Sequence, residues 1–346
     1  MRRLLVLPLV AIFVLCTSAA ALACGGLIGP NGNVNLLKTT TLAGYADGVE
    51  HYVTSFSFAG GGGSFGSLVP LPGIPTKVER GGDWTLQRLI RETQPPVLAF
   101  ARDSGLVAAS AEKAEVILET TIDALDLTVL KGGGDQVGEW AKENGFSLPP
   151  DAPEVLDFYA SRSPIFLAAK FDADAAAARG QNIGEGTPIH LSIPTDNPWV
   201  PLRILALGKQ PQEQIQADVY LLTTKEPAIL PLAKGLSLSR SEQGSDSLIA
   251  DLRSDKGMEW IPASGMWLSY LRVDSPAGDL DYDLAVDVEG VAPSKVDAGI
   301  DPVPPVVPTD PPAPAGLPMW MLAGVSALVA GIGLTLGRKV QRRAAA

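Results

Sequence analysis

The chain has 346 residues, two histidines, two cysteines and a formal net charge of −11. That acidic balance repels nucleic acid and anionic lipid headgroups, which excludes nucleic acid as a partner class. Two histidines and so few thiols also fall short of a zinc site, which needs three or four N, S or O ligands.

Arg2 and Arg3 precede the apolar run LLVLPLVAIFVLC, and Ala21-Leu22-Ala23 spells an A-x-A cleavage site. Residues 1–23 read as a secretory signal peptide, with Cys24 as the first mature residue. Pro8 interrupts the run and small residues end it, which argues against a first membrane helix. Cys16 leaves with the leader, so Cys24 has no partner within the mature chain and no internal disulfide is expected. Three fates are open to Cys24: lipidation, pairing or redox chemistry with a partner's thiol, or a free thiol. Ala21, where lipoprotein signals prefer Leu, favours ordinary cleavage over lipidation.

The first exported segment reads as β-rich. HYVTSFSF alternates, with Tyr52, Thr54, Phe56 and Phe58 on one face and His51, Val53, Ser55 and Ser57 on the other. Gly61 to Gly66 then spells G-x-G-x-x-G. A dinucleotide loop needs those glycines to open a helix whose amides hold the pyrophosphate. Here they lead into GSLVPLPGIP, broken by Pro70, Pro72 and Pro75, so a flexible turn between strands is expected. PLPGIPTKVERGGDW is a candidate binding loop or a structural crossover. WTLQRLIRET reads as a helix capped by Asp83 and stopped by Pro95.

KAEVILETTIDALDLTVLKGGG is strand-rich. DQVGEWAKENG reads as a short helix with Asp135 as cap, a Val137/Trp140/Ala141 face and Gly145 at its end. APEVLDFYASR is another, with Pro153 in its first turn. IFLAAKFD returns to strand. TPIHLSIPTDNPWVPLRILALG and QADVYLLTT read as a sandwich-like group of strands. In the first of these Ile189, Leu191 and Ile193 face one way, and His190 and Ser192 the other.

The pieces ACGGLI, TTTLAGYADGVEHYVTSF, FGSLVPLPGIPTKVERGGDWTLQRL, IDALDLTVLKGGGDQVGEWAKENGFSLP, FLAAKFD and PWVPLRILALG occur in that order. In this the chain resembles the bacterial "domain of unknown function 2330" family, from about Cys24 to Thr224 and more faintly to about residue 290. The resemblance implies an exported bacterial protein, often with a C-terminal membrane anchor. It carries no assigned activity and no catalytic residues.

GDLDYDLAVDVE places Asp279, Asp281, Asp283, Asp287 and Glu289 on one face of an expected strand, against Leu280, Tyr282, Leu284, Val286 and Val288. The D-x-D-x-D run of Asp279, Asp281 and Asp283 suggests calcium. Leu284 and Gly290 stand where an EF-hand loop wants Gly and Glu, so a solvated acidic strand face is the favoured reading.

DPVPPVVPTDPPAPAG follows. Proline fixes φ and donates no hydrogen bond, so residues 291–316 read as a stiff polyproline II stalk. At ~3.1 Å per residue its proline-dense part spans roughly 50 Å. Leu317 to Gly337 is uncharged and about 20 residues long, enough to cross a bilayer. Arg338, Lys339, Arg342 and Arg343 follow and set residues 338–346 in the cytoplasm. Gly333 and Gly337 form one GxxxG pair, a possible helix seam. The layout resembles Gram-positive wall-sorting signals, but Trp320 and Met321 follow Leu317-Pro318-Met319 where Thr-Gly is required. The helix is therefore expected to remain as anchor. Without the terminal basic residues the exported part carries about −17.

His51 and His190 lie in separate expected strands and read as surface histidines. No G-x-S-x-G elbow accompanies them, so a Ser-His-Asp hydrolase lacks support. Trp84, Trp140, Trp199, Trp260 and Trp267 could stack on sugars, though most read as packing residues. The expectation is an α+β chain. Its β-rich extracytoplasmic domain at 24–290 has a sandwich-like part, a few short helices and possibly two subdomains, and one C-terminal membrane helix follows. It binds an envelope protein or cell-wall glycan without catalysis and without cofactor. The alternative is an envelope hydrolase using a carboxylate pair on glycan or peptide, with the two groups ~5–9.5 Å apart.

Overall fold

The computed structural model describes residues 26–29, 39–56, 65–94, 115–180, 187–232 and 234–304. The expected signal peptide, Cys24, most of the glycine run, the proline-rich residues 305–316, the expected helix at 317–337 and the tail with Arg338, Lys339, Arg342 and Arg343 lie outside them. Among the described residues no helix is long and apolar enough to cross a membrane.

The chain begins with β1 (Gly26–Ile28), β2 (Thr39–Ala46), β3 (Val49–Phe56), β4 (Gly66–Leu71), β5 (Lys77–Arg80) and α1 (Thr85–Thr93). Next come β6 (Glu115–Ile122), β7 (Leu125–Lys131), α2 (Gly134–Glu143), α3 (Ala152–Ala160), β8 (Ile165–Phe171), α4 (Ala173–Ala178), β9 (Thr187–Pro194) and β10 (Trp199–Val200). It ends with β11 (Gln214–Thr223), β12 (Ala228–Leu230), β13 (Leu236–Gln243), α5 (Asp246–Ser254), β14 (Trp267–Pro276) and β15 (Leu284–Asp287).

Two sheets stack face to face. One has the order β13-β14-β11-β2-β3-β9-β5 and the other β1-β4-β8-β7-β6; β10-β15-β12 form a third, small sheet. Alternation decides what each face meets. Tyr52, Ile189, Leu191 and Leu221 of the larger sheet share a buried cluster with Val69, Leu127 and Leu167 of the smaller. Val53, Leu42 and Leu222, on the larger sheet's other face, meet Leu86 and Leu89 of α1 and Leu248 and Leu252 of α5. Leu130, Phe166 and Ala168, on the smaller sheet's outer face, meet Val137, Trp140 and Ala141 of α2 and Leu156 of α3. The result is helix, sheet, sheet, helix: a β-rich α+β fold with a sandwich at its centre.

Several local expectations are corrected. Gly66 opens β4, a strand paired antiparallel with β1 and β8, and not a helix. A Cβ there would lie 2.9 Å from the Phe146 ring and 3.0 Å from Ile28, so packing explains this glycine. Pro70 sits inside β4, past the last residue that β1 pairs, where among the described residues that edge of the strand is open and tolerates a missing donor. Asp83 does not cap α1; it pairs with Arg80 at 2.6 Å. The cap comes from Asp255, whose Oδ2 accepts from Thr85 N at 2.8 Å and Thr85 Oγ1 at 2.7 Å. Nor does Asp135 cap α2, whose N-cap is Gly133, with the Gln136 side chain accepting the Gly133 N–H. Arg203–Ala206, read as strand, is a 3₁₀ turn. Residues 291–303, at the start of the expected stalk, belong to the folded unit that ends at Val303. Ala298 is fully buried, and its carbonyl accepts from Asp283 N at 2.9 Å.

Candidate functional site

The loop between β9 and β10, the end of α3 and the loop after β15 enclose a cleft of about 650 Å³. That is the size range of small-ligand sites, about 300–1,000 Å³. Trp199 forms part of its wall. The tryptophan is held from behind: its backbone N–H donates to Glu50 Oε1 at 3.3 Å, and its ring meets Tyr159 edge-on at 5.8 Å. Tyr45 Oη fixes the same loop by donating to the carbonyls of Thr195 and Asp196 at 3.0 and 2.8 Å.

Four charged side chains line the cleft: Arg162, Asp196, Asp287 and Asp297. Asp287 Oδ1 accepts from Glu289 N at 2.8 Å and Val291 N at 3.2 Å. Asp297 Oδ2 accepts from Ser294 N at 3.2 Å. In each, one carboxylate oxygen helps to fold its own loop. Arg162 lies over the Phe158 ring at 3.8 Å and donates to backbone carbonyls, the shortest being Phe158 O at 2.8 Å. Partial burial lowers its pKa, and among the described residues it forms no ion pair.

Two buried carboxyls stand near this wall. Glu50 is fully buried, its Oε2 has no hydrogen-bond partner, and desolvation raises its pKa well above the usual range. Asp283 is also fully buried, and burial pushes it up to about 6 against hydrogen bonds that lower it. Its Oδ1 accepts from Tyr159 Oη and Leu202 N at 2.8 Å and from Arg203 N at 3.0 Å.

A second constellation lies on the helix-covered face of the larger sheet. β3 pairs Val53 with His190, and β5 pairs Glu79 with the same histidine. The two histidines, 139 residues apart, therefore meet, with His51 Nδ1 2.9 Å from His190 Nε2. His190 is 3% exposed, and its Nδ1 lies 3.3 Å from Glu79 Oε1, close but without hydrogen-bond geometry. Lys77 reaches the same carboxylate oxygen at 2.7 Å. Trp260 stacks on His51 with centroids 4.0 Å apart and planes 2° apart. Glu79 sets the tautomers: a bare Nδ1 on His190 would face a carboxylate lone pair, so that nitrogen carries the proton. His190 Nε2 then accepts from His51 Nδ1–H, and His51 Nε2 is left bare. These histidines are not the surface residues expected from the sequence.

Burial first, then His190 and Lys77, lower the His51 pKa to about 3. Burial also lowers that of His190, against the opposing pull of Glu79. Both depressed values mean that the fold holds fewer protons than the unfolded chain. Their contribution to stability is present above pH ~6.5 and is lost as pH falls toward the folded values. With two histidines in the chain, imidazole NMR resolves two spin systems. His51 is expected to stay neutral, in its Nδ1–H form, across the range where free histidine titrates. Titration of His51 near pH ~6.5 would contradict the buried pair.

The acidic run does not form one strand. Asp279 ends a 3₁₀ turn at Ala277–Asp279, Asp281 pairs with Lys234 at 2.6 Å, and only Leu284–Asp287 is strand. With Asp283 turned inward, the three residues of the calcium reading do not converge. Among the described residues no group of three or more His, Cys, Asp or Glu side chains could hold a metal ion. Of the tryptophans, Trp140 is buried against Phe146, while Trp199 and Trp260 mark the two constellations just described.

The profile of a family described as "Uncharacterized protein conserved in bacteria (DUF2330)" matches residues 18–229, more than half of the chain. No curated protein matches it. Among solved structures, baculovirus P35 is similar over 74% of this chain and 98% of that one, at 9% identity and a TM-score of 0.39. A mutated baculovirus P35 after caspase cleavage is similar over 73% and 100%, at 8% identity and a TM-score of 0.35. At those TM-scores the likeness says nothing further about this chain.

Proposed function

We propose a role for a chain that belongs to the DUF2330 family of uncharacterized bacterial proteins: it is a membrane-anchored extracytoplasmic protein that binds a small polar envelope component in the cleft beside Trp199 and leaves it chemically unchanged. The signal-peptide pattern at 1–23, the apolar run at 317–337 and the basic residues after it support the placement. A proline-rich spacer from Pro304 onward then links the folded unit to the anchor.

One observation carries the binding role. The cleft offers an aromatic wall and polar loops, but of its three carboxylates Asp287 and Asp297 each bond amides of their own loop through one oxygen, and only Asp196 stands free of such bonds. A glycosidase needs one carboxyl protonated and the other free at the scissile bond. The carboxyls with raised pKa, Glu50 and Asp283, are fully buried.

The test uses the full chain in its own membranes, incubated with a soluble digest of bacterial cell wall and analysed by mass spectrometry. Retention of unaltered glycan or peptide fragments is expected, reduced on the order of tenfold or more by Trp199→Ala. A chain lacking residues 317–346 is expected in the medium. Conversion of fragments to smaller products would replace this reading with the hydrolase, and retention indifferent to Trp199→Ala would remove the cleft from it.

A further inference from the structure

Several charged side chains on the elements that flank this cleft are paired with one another. Arg203 pairs with Glu154 at 2.5 Å, Lys225 with Glu289 at 2.7 Å and Lys234 with Asp281 at 2.6 Å. Asp287 and Asp297 are held by backbone amides. Arg162 and Asp196 differ. Both line the cleft, and among the described residues neither forms a salt bridge; of the carboxylates, Arg162 feels only the charge of the buried Asp283, whose hydrogen bonds go to Tyr159 and to backbone amides. Asp196 contributes only its backbone carbonyl to the loop, as acceptor for Tyr45. Its carboxylate is left exposed. Arg162 is pinned by Phe158 beneath and by backbone carbonyls around it, so its guanidinium is oriented without being neutralised. A positioned cation and a separate free anion stand in one cleft, with Trp199 in its wall.

We propose that the cleft recognises a zwitterion, an amino acid or short peptide with free ends, its carboxylate on Arg162 and its ammonium on Asp196. This rests on the cleft reading above and names the ligand class for it. Arg presents a planar fork that suits a carboxylate, and Asp accepts from an ammonium. Trp199 offers a face for the stem between the two charges. A purely anionic ligand would meet three carboxylates, and a purely cationic one would meet the arginine. A zwitterion satisfies both charges at once. The volume of about 650 Å³ accommodates a peptide of a few small residues.

The experiment measures the affinity of the full chain in detergent for trialanine with free ends, its N-acetyl form, its C-terminal amide and a neutral chitin oligosaccharide. Blocking either end is expected to weaken binding by about tenfold or more, since each block removes one charge-assisted contact. Arg162→Gln is expected to abolish discrimination against the amide only, and Asp196→Asn against the N-acetyl form only. The wild-type comparison stands without the variants, should either fold poorly. Equal affinity for free and blocked peptides would overturn the proposal. So would Trp199-dependent binding of the oligosaccharide with none of trialanine, an outcome that leaves the cleft reading in place. Loss of both kinds of Trp199-dependent binding would end both.

Discussion

Asp283→Ala is expected to destabilise the fold by at least about 3 kcal/mol, while Asp283→Asn at neutral pH leaves stability equal to or above that of the wild type. Oδ1 of Asp283 takes three hydrogen bonds, from Tyr159 Oη and the amides of Leu202 and Arg203. Those amides lead into the 3₁₀ turn at Arg203–Ala206, and Tyr159 Oη in turn accepts from Ile204 N at 2.8 Å. Alanine removes the acceptor and leaves buried donors unpaired, at about 1–3 kcal/mol each. Asparagine keeps the accepting oxygen and drops the charge. That charge is what burial disfavours: the carboxyl is raised from 3.8 to about 6, and Oδ2 has no partner. A raised pKa means that the folded state binds the proton more tightly than the unfolded chain. The stability it contributes is present below pH ~4 and is lost as pH rises through ~6, an effect of about 3 kcal/mol. Asparagine mimics the protonated form at every pH. Denaturant unfolding at pH ~4 and ~7.5 should therefore show the gap between wild type and Asp283→Asn moving by roughly that amount in favour of Asn. A gap independent of pH would mean that Asp283 is not the buried, burdened acid described here.

Much of the sheet architecture was legible because strand periodicity is local. HYVTSF placed Tyr52 and Val53 on opposite faces, and they enter different clusters. TPIHLSI did the same for Ile189, Leu191 and Ile193, which face the smaller sheet. What escaped was everything set by register between distant segments. Nothing near His51 announces His190, because their meeting depends on β3 pairing with β9 and β9 with β5. Nothing near Thr85 announces Asp255, 170 residues away, although Gly82 carries a trace of it: a Cβ there would lie 2.1 Å from that carboxylate. Asp283 was misjudged for a related reason. Its neighbour Asp281 is an exposed acid, and alternation alone cannot show that the backbone leaves strand geometry before Leu284 and turns Asp283 inward.

Gly44→Ala is expected to cost about 1–3 kcal/mol and to raise the pKa of a histidine on the neighbouring strand. Gly44 lies opposite His51 in the β2–β3 ladder, and the Trp260 ring covers both. A Cβ at Gly44 would fall 2.2 Å from Cη2 and 2.6 Å from Cζ2 of that ring, closer than any real contact. A tryptophan ring has no flexible end to withdraw, so it must tilt away as a body. Its departure opens His51 to water and reduces the burial that holds its pKa near 3, so the His51 resonances should begin to titrate at higher pH. Trp260→Ala relieves the clash by removing the ring, and it should raise the same pKa. If the steric account is right, adding Gly44→Ala to Trp260→Ala costs little more. The double-mutant cycle would then show coupling well above the ~0.5 kcal/mol typical of independent sites. Additive losses, or a His51 that stays silent in Gly44→Ala, would mean that the ring does not rest on this strand pair. Both measurements concern one contact, between a position without a side chain and a side chain brought from 216 residues further along the chain.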